Sequence, residues 1–331
     1  MPSNWFYILL SVFILTSCQS PPKPSVTRFS QNIMTIDYHI QIGESLTSER
    51  QQVAQSIISQ TFKEINDGYN KWNKHSEISY INQLDAHIAY YPSPKLYQFL
   101  IRINELVRFS KGRFDPTIEP LQNLWISCLE QGITPTAEQL ENLKNFVGWD
   151  HLILENGHVI KKDKRLQIDL GGIAKGLCVD WLLLNLNQAG FTNVYVEWGG
   201  EIRTSGLHPD NRPWRIFISR LGDSNPQEAL DYVELTDQAL ATSGDYYRRW
   251  SIIDEKNNEK IYCHIMNPLT FQALEVKKGS VASASLRAKD CVTADALAKV
   301  SMLFDSSEER TIWWDQVESL YADSAHWIIL N

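Results

Sequence analysis

The chain lacks the patterns that mark several common classes of protein. Its 331 residues include five cysteines, none of them in a C-x-x-C pair, so no zinc site is indicated. Four of these cysteines stand beside apolar residues, and the sequence is compatible with either disulfides or buried free thiols. The net charge is −8 and no long basic cluster occurs, which argues against a nucleic-acid-binding protein. A hydrophobic content of 43% with 11 tryptophans instead indicates a globular chain with a substantial core.

The N-terminal segment has the length and composition of an export signal. An apolar run from Trp5 to Leu15 is too short to span a bilayer and matches the core of a signal peptide. The following Thr16-Ser17-Cys18 resembles the end of a bacterial lipobox, in which the cysteine is lipidated and becomes the mature N-terminus. We therefore predict a lipoprotein signal peptide over residues 1–17. Because residues 1–4 lack Lys and Arg, an ordinary cleaved signal with an incidental cysteine is the alternative.

A short proline-rich segment separates this signal from the rest of the chain. Residues 18–26 contain Pro21-Pro22-Lys23-Pro24, and we interpret them as a lipid anchor with an extended tether. Residues 27–331 then form the folded domain. The expected location is a membrane surface facing the periplasm, and Gln19 after the cysteine favours the outer membrane over the inner one by resemblance to bacterial lipoproteins.

The order of the predicted elements favours an α+β fold. Apolar residues at helical spacing predict helices and alternating patterns predict strands. The predicted helices are 47–70, 94–110, 136–146, 176–189 and 294–304, and the predicted strands are 27–42, 193–198, 214–219, 231–235 and a hairpin of 152–160 with 165–170. Because regular βαβ alternation is missing, we expect mixed, largely antiparallel sheets with packed helices.

The most informative motif is I-D-L-G-G-I-A-K-G at residues 168–176. A predicted strand ends in Asp169 and leads into two glycines, which let the backbone approach a ligand because they lack Cβ. The helix that follows presents free N–H groups and the positive end of its dipole, and Lys175 adds a mobile positive charge. These features favour a phosphate site, and a plain strand–helix turn is the alternative.

Further polar motifs stand at the ends of predicted elements. They are S-E-I-S at 76–79, G-R-F-D-P-T at 112–117 followed by E-P-L-Q-N-L-W, W-G-G-E-I at 198–202, A-T-S-G-D-Y at 241–246, H-I-M-N-P at 264–268 and A-D-A-L at 294–297. Each is weak alone. Together and in this order they resemble the ApbE-like FAD:protein FMN transferase family, from about Met34 to Phe304.

The resemblance implies a reaction and its participants. Members of this family transfer the FMN moiety of FAD to a threonine hydroxyl of a target flavoprotein and release AMP, with Mg²⁺. It thus implies FAD as substrate, an acceptor flavoprotein with an exposed threonine, typically of a respiratory redox complex, and no nucleic acid. An exported FAD-binding protein without transferase activity and an FAD pyrophosphatase that forms FMN and AMP are the alternatives.

The resemblance also assigns roles to individual residues. Those implied to contact FAD are Met34, Trp72, Gly112, Arg113, Phe114, Asp169, Lys175 and Met266. Gly172 and Asp295 are implied to hold Mg²⁺ through a carbonyl and a carboxylate oxygen, the ligands that hard cations prefer. His264 is our candidate for the group that deprotonates the acceptor hydroxyl or lies near the leaving phosphate. A loop histidine and a core tryptophan at position 72 are the structural alternatives.

Three positions depart from the family pattern. Lys299 stands where a threonine is usual, four residues after Asp295 and therefore on the same helix face. Its ammonium either pairs with that carboxylate and partly replaces the cation, or points away and leaves the metal with one ligand fewer. Asn267 replaces an aspartate, and Leu269-Thr270-Phe271 replaces an R-T-G segment. These departures make FAD binding a firmer expectation than efficient transfer.

Overall fold

The structure is a computed structural model that describes residues 25–219, 225–246, 248–254, 256–304 and 306–331. The predicted signal peptide 1–17, the predicted lipidation site Cys18 and most of the predicted tether 18–26 lie outside the described residues. None of the helices within the described ranges combines the length and the apolar character needed to cross a bilayer.

The described ranges form eight α-helices and fourteen β-strands. The helices are α1 (Ser48–Gly68), α2 (Glu77–Gln83), α3 (Pro94–Phe109), α4 (Glu119–Glu130), α5 (Ala137–Leu143), α6 (Ala174–Gln188), α7 (Cys291–Ser301) and α8 (Ser307–Leu320). The strands are β1 (Thr27–Ile33), β2 (Ile36–Ile42), β3 (Leu152–Glu155), β4 (His158–Lys161), β5 (Val194–Trp198), β6 (Glu201–Ser205), β7 (Trp214–Ile218), β8 (Asp231–Leu235), β9 (Ala239–Gly244), β10 (Arg249–Ile253), β11 (Glu259–Asn267), β12 (Gln272–Glu275), β13 (Val281–Ala288) and β14 (Ala325–Leu330).

A seven-stranded sheet in the order β1-β2-β5-β6-β9-β13-β14 organises the molecule. Every neighbouring pair in it is antiparallel, with Ile40 opposite Val196 and Leu286 opposite Ala241. Helices α6 and α7 pack on this sheet, and α1 packs on α6. The predicted α+β class with largely antiparallel sheets is therefore confirmed.

Helix ends follow the local sequence closely. Thr136 and Gln139 form a reciprocal capping box that starts α5, and Thr47 and Ser93 accept backbone hydrogen bonds at the starts of α1 and α3. Each of these side chains satisfies an N–H group that the helix leaves unpaired. The predicted starts of these helices are confirmed to within one residue.

The predicted first strand, 27–42, is wrong in one respect. Met34 and Thr35 have φ values of 51° and 66°, which split the segment into the antiparallel hairpin β1–β2. Two successive positive φ values are the geometry of a two-residue hairpin turn that matches the twist of its strands. The prediction treated the alternation as continuous, although Ile33 and Ile36 lie three residues apart and break the two-residue period at this turn.

The predicted hairpin around Asn156-Gly157 is present, but its second strand is β4 and not 165–170. Residues 165–170 pair with no strand. Instead the Asn82 side chain accepts from the Ile168 N–H at 2.7 Å and donates to the Ile168 carbonyl at 2.9 Å. The Asp169 N–H then donates to Pro116 at 2.7 Å. One amide side chain thus satisfies the backbone that a neighbouring strand would otherwise pair.

The last predicted helix begins three residues earlier than expected. Asp290 accepts a hydrogen bond from the Thr293 N–H, and Asp180 of α6 accepts from the N–H groups of Cys291 and Val292. The Asp180 carboxylate of α6 therefore stabilises the additional first turn of α7. This contact comes from another helix, so the local sequence of α7 does not reveal it. Cys128, Cys178, Cys263 and Cys291 are all buried free thiols.

Candidate functional site

A cavity of about 280 Å³ lies where the main sheet meets the smaller sheet β10-β11-β12. Its wall is built from loops and element ends: residues 113–118 before α4, Gly171 and Gly172 before α6, the β5–β6 turn, the end of β9, and β11. A second hydrophobic cluster, in which Trp125 of α4 packs on Tyr262 of β11, supports the far wall. Two separate cores therefore fix the two sides of the cavity.

Close packing of α6 on α7 sets the cavity floor. A Cβ added to Gly176 would lie 2.6 Å from the Cys291 carbonyl oxygen, a distance that real Cβ atoms do not show. Only glycine permits this approach. The Gly176 N–H donates to Asp295 Oδ2 at 3.2 Å, so the contact also orients the predicted metal-binding carboxylate.

Two lysine–carboxylate pairs lie side by side at this floor. The Lys175 ammonium donates to the Glu201 carboxylate and, at 3.1 Å, to the Gly199 carbonyl. The Lys299 ammonium donates to Asp295 Oδ1. We call these four residues the paired-lysine cluster. Both carboxylate side chains are 1% exposed, whereas the lysines are 23% and 30% exposed and line the cavity.

Burial dominates the electrostatics of this cluster. Removal from water raises the pKa of the Glu201 carboxyl, and the neighbouring Asp295 adds to the rise. Lys175 opposes it through its positive charge and its hydrogen bond. Neither buried acid stands without an ammonium partner, as the high cost of an uncompensated buried charge requires.

A third ion-pair group lies at the edge of the cavity. The Lys71 ammonium bridges Glu119 and Asp169, with 2.9 Å to Asp169 Oδ2. The other oxygen, Asp169 Oδ1, accepts from the Gly171 N–H at 2.7 Å. Asp169 therefore holds the glycine turn in place, and its carboxylate faces a lysine that the sequence analysis did not single out.

His264 lines the cavity from β11, and its ring is largely removed from water. Among the described residues its Nδ1 atom has no hydrogen-bond partner. Burial lowers the pKa of His264, and the nearby Lys299 charge lowers it further. The ring is therefore neutral at pH 7, which is the form that accepts a proton.

The structure brings most of the predicted site residues together. Those that line the cavity are Arg113, Phe114, Asp169, Gly172, Lys175, His264 and Met266. Asp295 lies directly beneath Lys299. Gly112 stands just outside, with φ of 79° and a Cβ position 3.4 Å from the Leu269 side chain.

Met34 and Trp72 do not line this cavity. Met34 occupies the β1–β2 turn and packs against the main core, with its sulfur 3.7 Å from Asn70 Nδ2. Trp72 is 82% exposed and borders a shallower cleft with Lys71, whose ammonium lies 4.7 Å from the indole centre. The core alternative for Trp72 is thus wrong, and Lys71 connects it to Asp169 and the cavity edge.

The sequence analysis missed Glu201, Lys71 and Thr242 as site residues. Glu201 had a signal, because it follows the two glycines of W-G-G-E, and Thr242 stands in A-T-S-G. The Thr242 hydroxyl lies 2.8 Å from the Ser285 hydroxyl of the neighbouring strand. Lys71 carries no motif, since its partners are 48 and 98 residues away.

The predicted metal position is taken by Lys299. Its chain lies against Gly172, since a Cβ built there would be 3.3 Å from Lys299 Cε. Both oxygens of Asp295 accept hydrogen bonds, from Lys299 and from Gly176. Within the described ranges no three His, Cys, Asp or Glu side chains are grouped to hold a metal ion. These residues do not fit a divalent cation between Gly172 and Asp295, and the Mg²⁺ role stays a prediction.

Comparison with known proteins agrees with the geometry. A Chlamydia muridarum protein named FAD:protein FMN transferase is 38% identical over 310 residues, 93% of each chain. A Vibrio cholerae protein of the same name is 32% identical over 312 residues, 93% of this chain and 89% of the relative. The solved structure of the Vibrio cholerae flavin transferase ApbE superposes with a TM-score of 0.75 at 29% identity, covering 93% and 94% of the two chains.

A more distant structure shows the same fold. The Pseudomonas stutzeri flavinyl transferase ApbE, in its apo form, has a TM-score of 0.76 at 23% identity, over 93% of this chain and 92% of its own. The model of the ApbE family matches residues 34–320, which include both sides of the cavity and the paired-lysine cluster. This chain belongs to the ApbE family.

Proposed function

We propose that this chain is an FAD:protein FMN transferase, which moves the FMN moiety of FAD to a threonine hydroxyl of an acceptor flavoprotein and releases AMP. The observation that carries the proposal is the paired-lysine cluster beside the buried, neutral ring of His264 in one cavity. Relatives whose alignments cover 93% of this chain are named for the same reaction, and this supports the proposal.

The floor of the cavity suits the pyrophosphate of FAD. Lys175 and Lys299 line the cavity, and α6 begins there, just after Gly172. The positive end of the α6 dipole attracts phosphate oxygens, and each lysine adds a point charge. Breaking the pyrophosphate leaves charge on the departing phosphate, so these groups lower the barrier by charge stabilisation.

The upper wall suits an aromatic ring system. Phe114 and Met266 are 6% and 3% exposed and line the cavity together with Ile118. Flat aromatic ligands gain from contact with such apolar and sulfur-containing side chains. Arg113, which lies 4.8 Å over the Phe304 ring, adds positive charge at the same rim.

His264 is the group proposed to activate the acceptor. In the proposed step the threonine oxygen forms a bond to the FMN phosphorus and the threonine proton moves to the neutral imidazole. The bond from that phosphorus to the bridging oxygen breaks, and AMP departs with the bridging oxygen on its phosphate. A proton acceptor works best when its pKa lies near or below the working pH, as burial arranges here.

Two of the three departures from the family pattern do not touch the cavity chemistry. Asn267 Oδ1 accepts from the Leu269 N–H at 3.0 Å and so holds the β11–β12 turn. The Phe271 carbonyl accepts from the Trp125 indole at 2.9 Å, which anchors the same turn on α4. Asparagine accepts such bonds as well as aspartate does. These substitutions are therefore compatible with transfer, because the turn keeps its hydrogen bonds.

The direct test is mass spectrometry of a threonine-bearing acceptor flavoprotein after incubation with the full chain and FAD. We expect the mass of one FMN on the acceptor, and none on an acceptor whose threonine is replaced by valine. Free FMN and AMP without a modified acceptor would support the FAD pyrophosphatase instead. Intact FAD, while an active relative modifies the same acceptor, would contradict both activities.

The N-terminal segment is part of the proposal through its sequence alone. We infer that Cys18 is lipidated and tethers the domain at a membrane facing the periplasm, where the acceptor belongs to a respiratory redox complex. Labelling with a radioactive fatty acid tests this. Label on the full chain that disappears in Cys18→Ser supports the lipid anchor, whereas equal label on both chains contradicts it.

A further inference from the structure

The paired-lysine cluster contains an internal cation at the position where the family resemblance implies Mg²⁺. We infer that the Lys299 ammonium replaces the divalent metal ion, so that FMN transfer by this chain proceeds without one. The inference rests on the proposed function and adds to it the identity of the charge that stabilises the pyrophosphate.

The first argument is that both oxygens of Asp295 already accept a hydrogen bond. Oδ1 accepts from Lys299 and Oδ2 accepts from the Gly176 N–H, while the side chain is 1% exposed. A metal at this carboxylate would have to displace the ammonium, and two positive groups would then compete for one buried charge. The i, i+4 spacing on α7 places Lys299 on the same helix face as Asp295, and the contact of its side chain with Gly172 holds the ammonium there.

The second argument is that the neighbouring acid is also occupied. Glu201 is the other fully buried carboxylate of the cluster, and it already pairs with the Lys175 ammonium. The cluster therefore holds two carboxylates and two ammonium groups, and its formal charge is zero before a substrate binds. A divalent ion added to it before substrate binds would leave an excess of two positive charges next to the two buried carboxylates.

The third argument is that Lys299 has donors to spare for the substrate. An ammonium carries three N–H donors, and one of them serves Asp295. The side chain is 30% exposed and lines the cavity, and its Cε lies close to Gly172 in the turn before α6. A phosphate at the start of α6 is thus within reach of Lys299 and of Lys175, whose ammonium groups can donate to it.

The test compares metal-free and metal-loaded transfer. The full chain, freed of metal with EDTA, is incubated with FAD and the acceptor, and modified acceptor is measured over time. We expect the rate to change less than twofold when Mg²⁺ replaces EDTA. Loss of transfer in EDTA and recovery with Mg²⁺ would overturn the inference and leave the proposed function intact.

Substitutions at position 299 separate charge from shape. Lys299→Thr frees Asp295 and adds a hydroxyl oxygen, so its transfer is expected to fall about 100-fold in EDTA and to recover with Mg²⁺. Lys299→Arg keeps the charge and is expected to stay independent of metal. Lys63→Thr removes an exposed lysine that is also paired at i, i+4, with Asp67, and serves as the matched control without effect. Thermal melting of each variant shows that it is folded.

Binding of Mn²⁺, followed by electron paramagnetic resonance, decides the inference without any activity. We expect no stoichiometric Mn²⁺ site on the wild-type chain and one on Lys299→Thr. One tightly bound Mn²⁺ on the wild-type chain that disappears in Asp295→Asn would overturn the inference. If no variant transferred FMN under any condition, the proposed function would fail, and the Mn²⁺ titration would still report on Lys299.

Discussion

At the residue scale, the cavity depends on carboxylates that are removed from water and paired with lysines. Lys175 with Glu201, Lys299 with Asp295, and Lys71 with Asp169 each join a carboxylate to a lysine from a distant or adjacent turn. Truncating one partner of such a pair leaves an uncompensated charge, at a cost of about 3–5 kcal/mol when both partners are fully buried. In the paired-lysine cluster the carboxylates are fully buried and the lysines are partly exposed, so removing a lysine leaves a buried carboxylate without its partner.

His264 gives the residue-scale prediction. Because burial lowers the pKa of His264 below its usual 6.5, the imidazole is neutral at pH 7 and becomes charged only in more acidic solution. We expect the transfer rate to be level near pH 7 and to fall as the pH drops below the pKa of this histidine. The pH profile of acceptor modification measures this.

Variants at two histidines show whether the pH profile of transfer is due to His264. His264→Gln should lower transfer about 100-fold or more and remove the acidic limb, in line with the usual contribution of a general base. His75→Ala changes an exposed histidine and should leave rate and profile as they are. Protonation of the buried His264 also opposes folding, so wild-type stability should decrease below pH 6.5 more than that of His264→Gln. An unchanged profile in His264→Gln would show that another group is the base.

At the element scale, the approach of α6 to α7 places the charged groups. Gly176 allows the contact, and the Asp180 carboxylate of α6 receives the first N–H groups of α7. Burial raises the pKa of Asp180 to about 6, although Arg203 pulls it down. The same two helices therefore carry both the structural acid, Asp180, and the cluster acid, Asp295.

Gly176→Ala tests this contact. The added Cβ would meet the Cys291 carbonyl oxygen and carbon at 2.6 and 2.9 Å, and because both belong to the backbone, the helices must move apart. We expect a loss of about 1–3 kcal/mol in the free energy of unfolding, the usual cost of overpacking, and reduced FMN transfer. Urea denaturation measures the first quantity.

A second glycine provides the control for that experiment. A Cβ on Gly68, at the end of α1, meets nothing within 4 Å. Gly68→Ala should therefore leave transfer unchanged and raise stability by up to about 1 kcal/mol, because alanine loses less backbone entropy in a helix. Equal stability of Gly176→Ala and wild type would contradict the tight contact between α6 and α7.

At the scale of the whole molecule, two cores meet at the cavity. The main cluster holds the seven-stranded sheet with α1, α6 and α7, and the smaller cluster holds α4, α5 and the sheet β10-β11-β12. Phe114 belongs to the first cluster and Met266 to the second, and both line the cavity. A ligand in the cavity therefore contacts both parts.

FAD should accordingly stabilise the entire fold. A ligand at 100 times its dissociation constant adds about 2.7 kcal/mol to the free energy of unfolding of the state that binds it. We expect a single thermal transition that shifts upward with FAD concentration, and a much smaller shift with AMP, which lacks the flavin. A transition that FAD leaves unchanged at saturating concentration would show that the cavity is not the FAD site.

Much of the fold was accessible from the sequence because its signals are local. The apolar spacing of α1 and α3, the Thr136 capping box and the alternation in β5, β7 and β8 each act within a few residues. The motifs that resemble the ApbE family also predicted most of the cavity lining, including Asp169, Lys175 and His264. Each of these patterns is visible in the sequence because it involves residues that are close together along the chain.

Only the tertiary structure decided which charges meet. Lys71 is separated from its two partners by 48 and 98 residues, and Asn82 bonds the Ile168 backbone where a strand was expected. Neither contact produces a periodic pattern in the sequence. The spacing of Asp295 and Lys299 made their contact one of two open alternatives, and the direction of the lysine depended on Gly172 and α6 packing beside it. Periodicity determines the face on which a side chain stands, whereas packing determines what that face meets, since the partners of an ion pair can lie on elements that are far apart in the sequence.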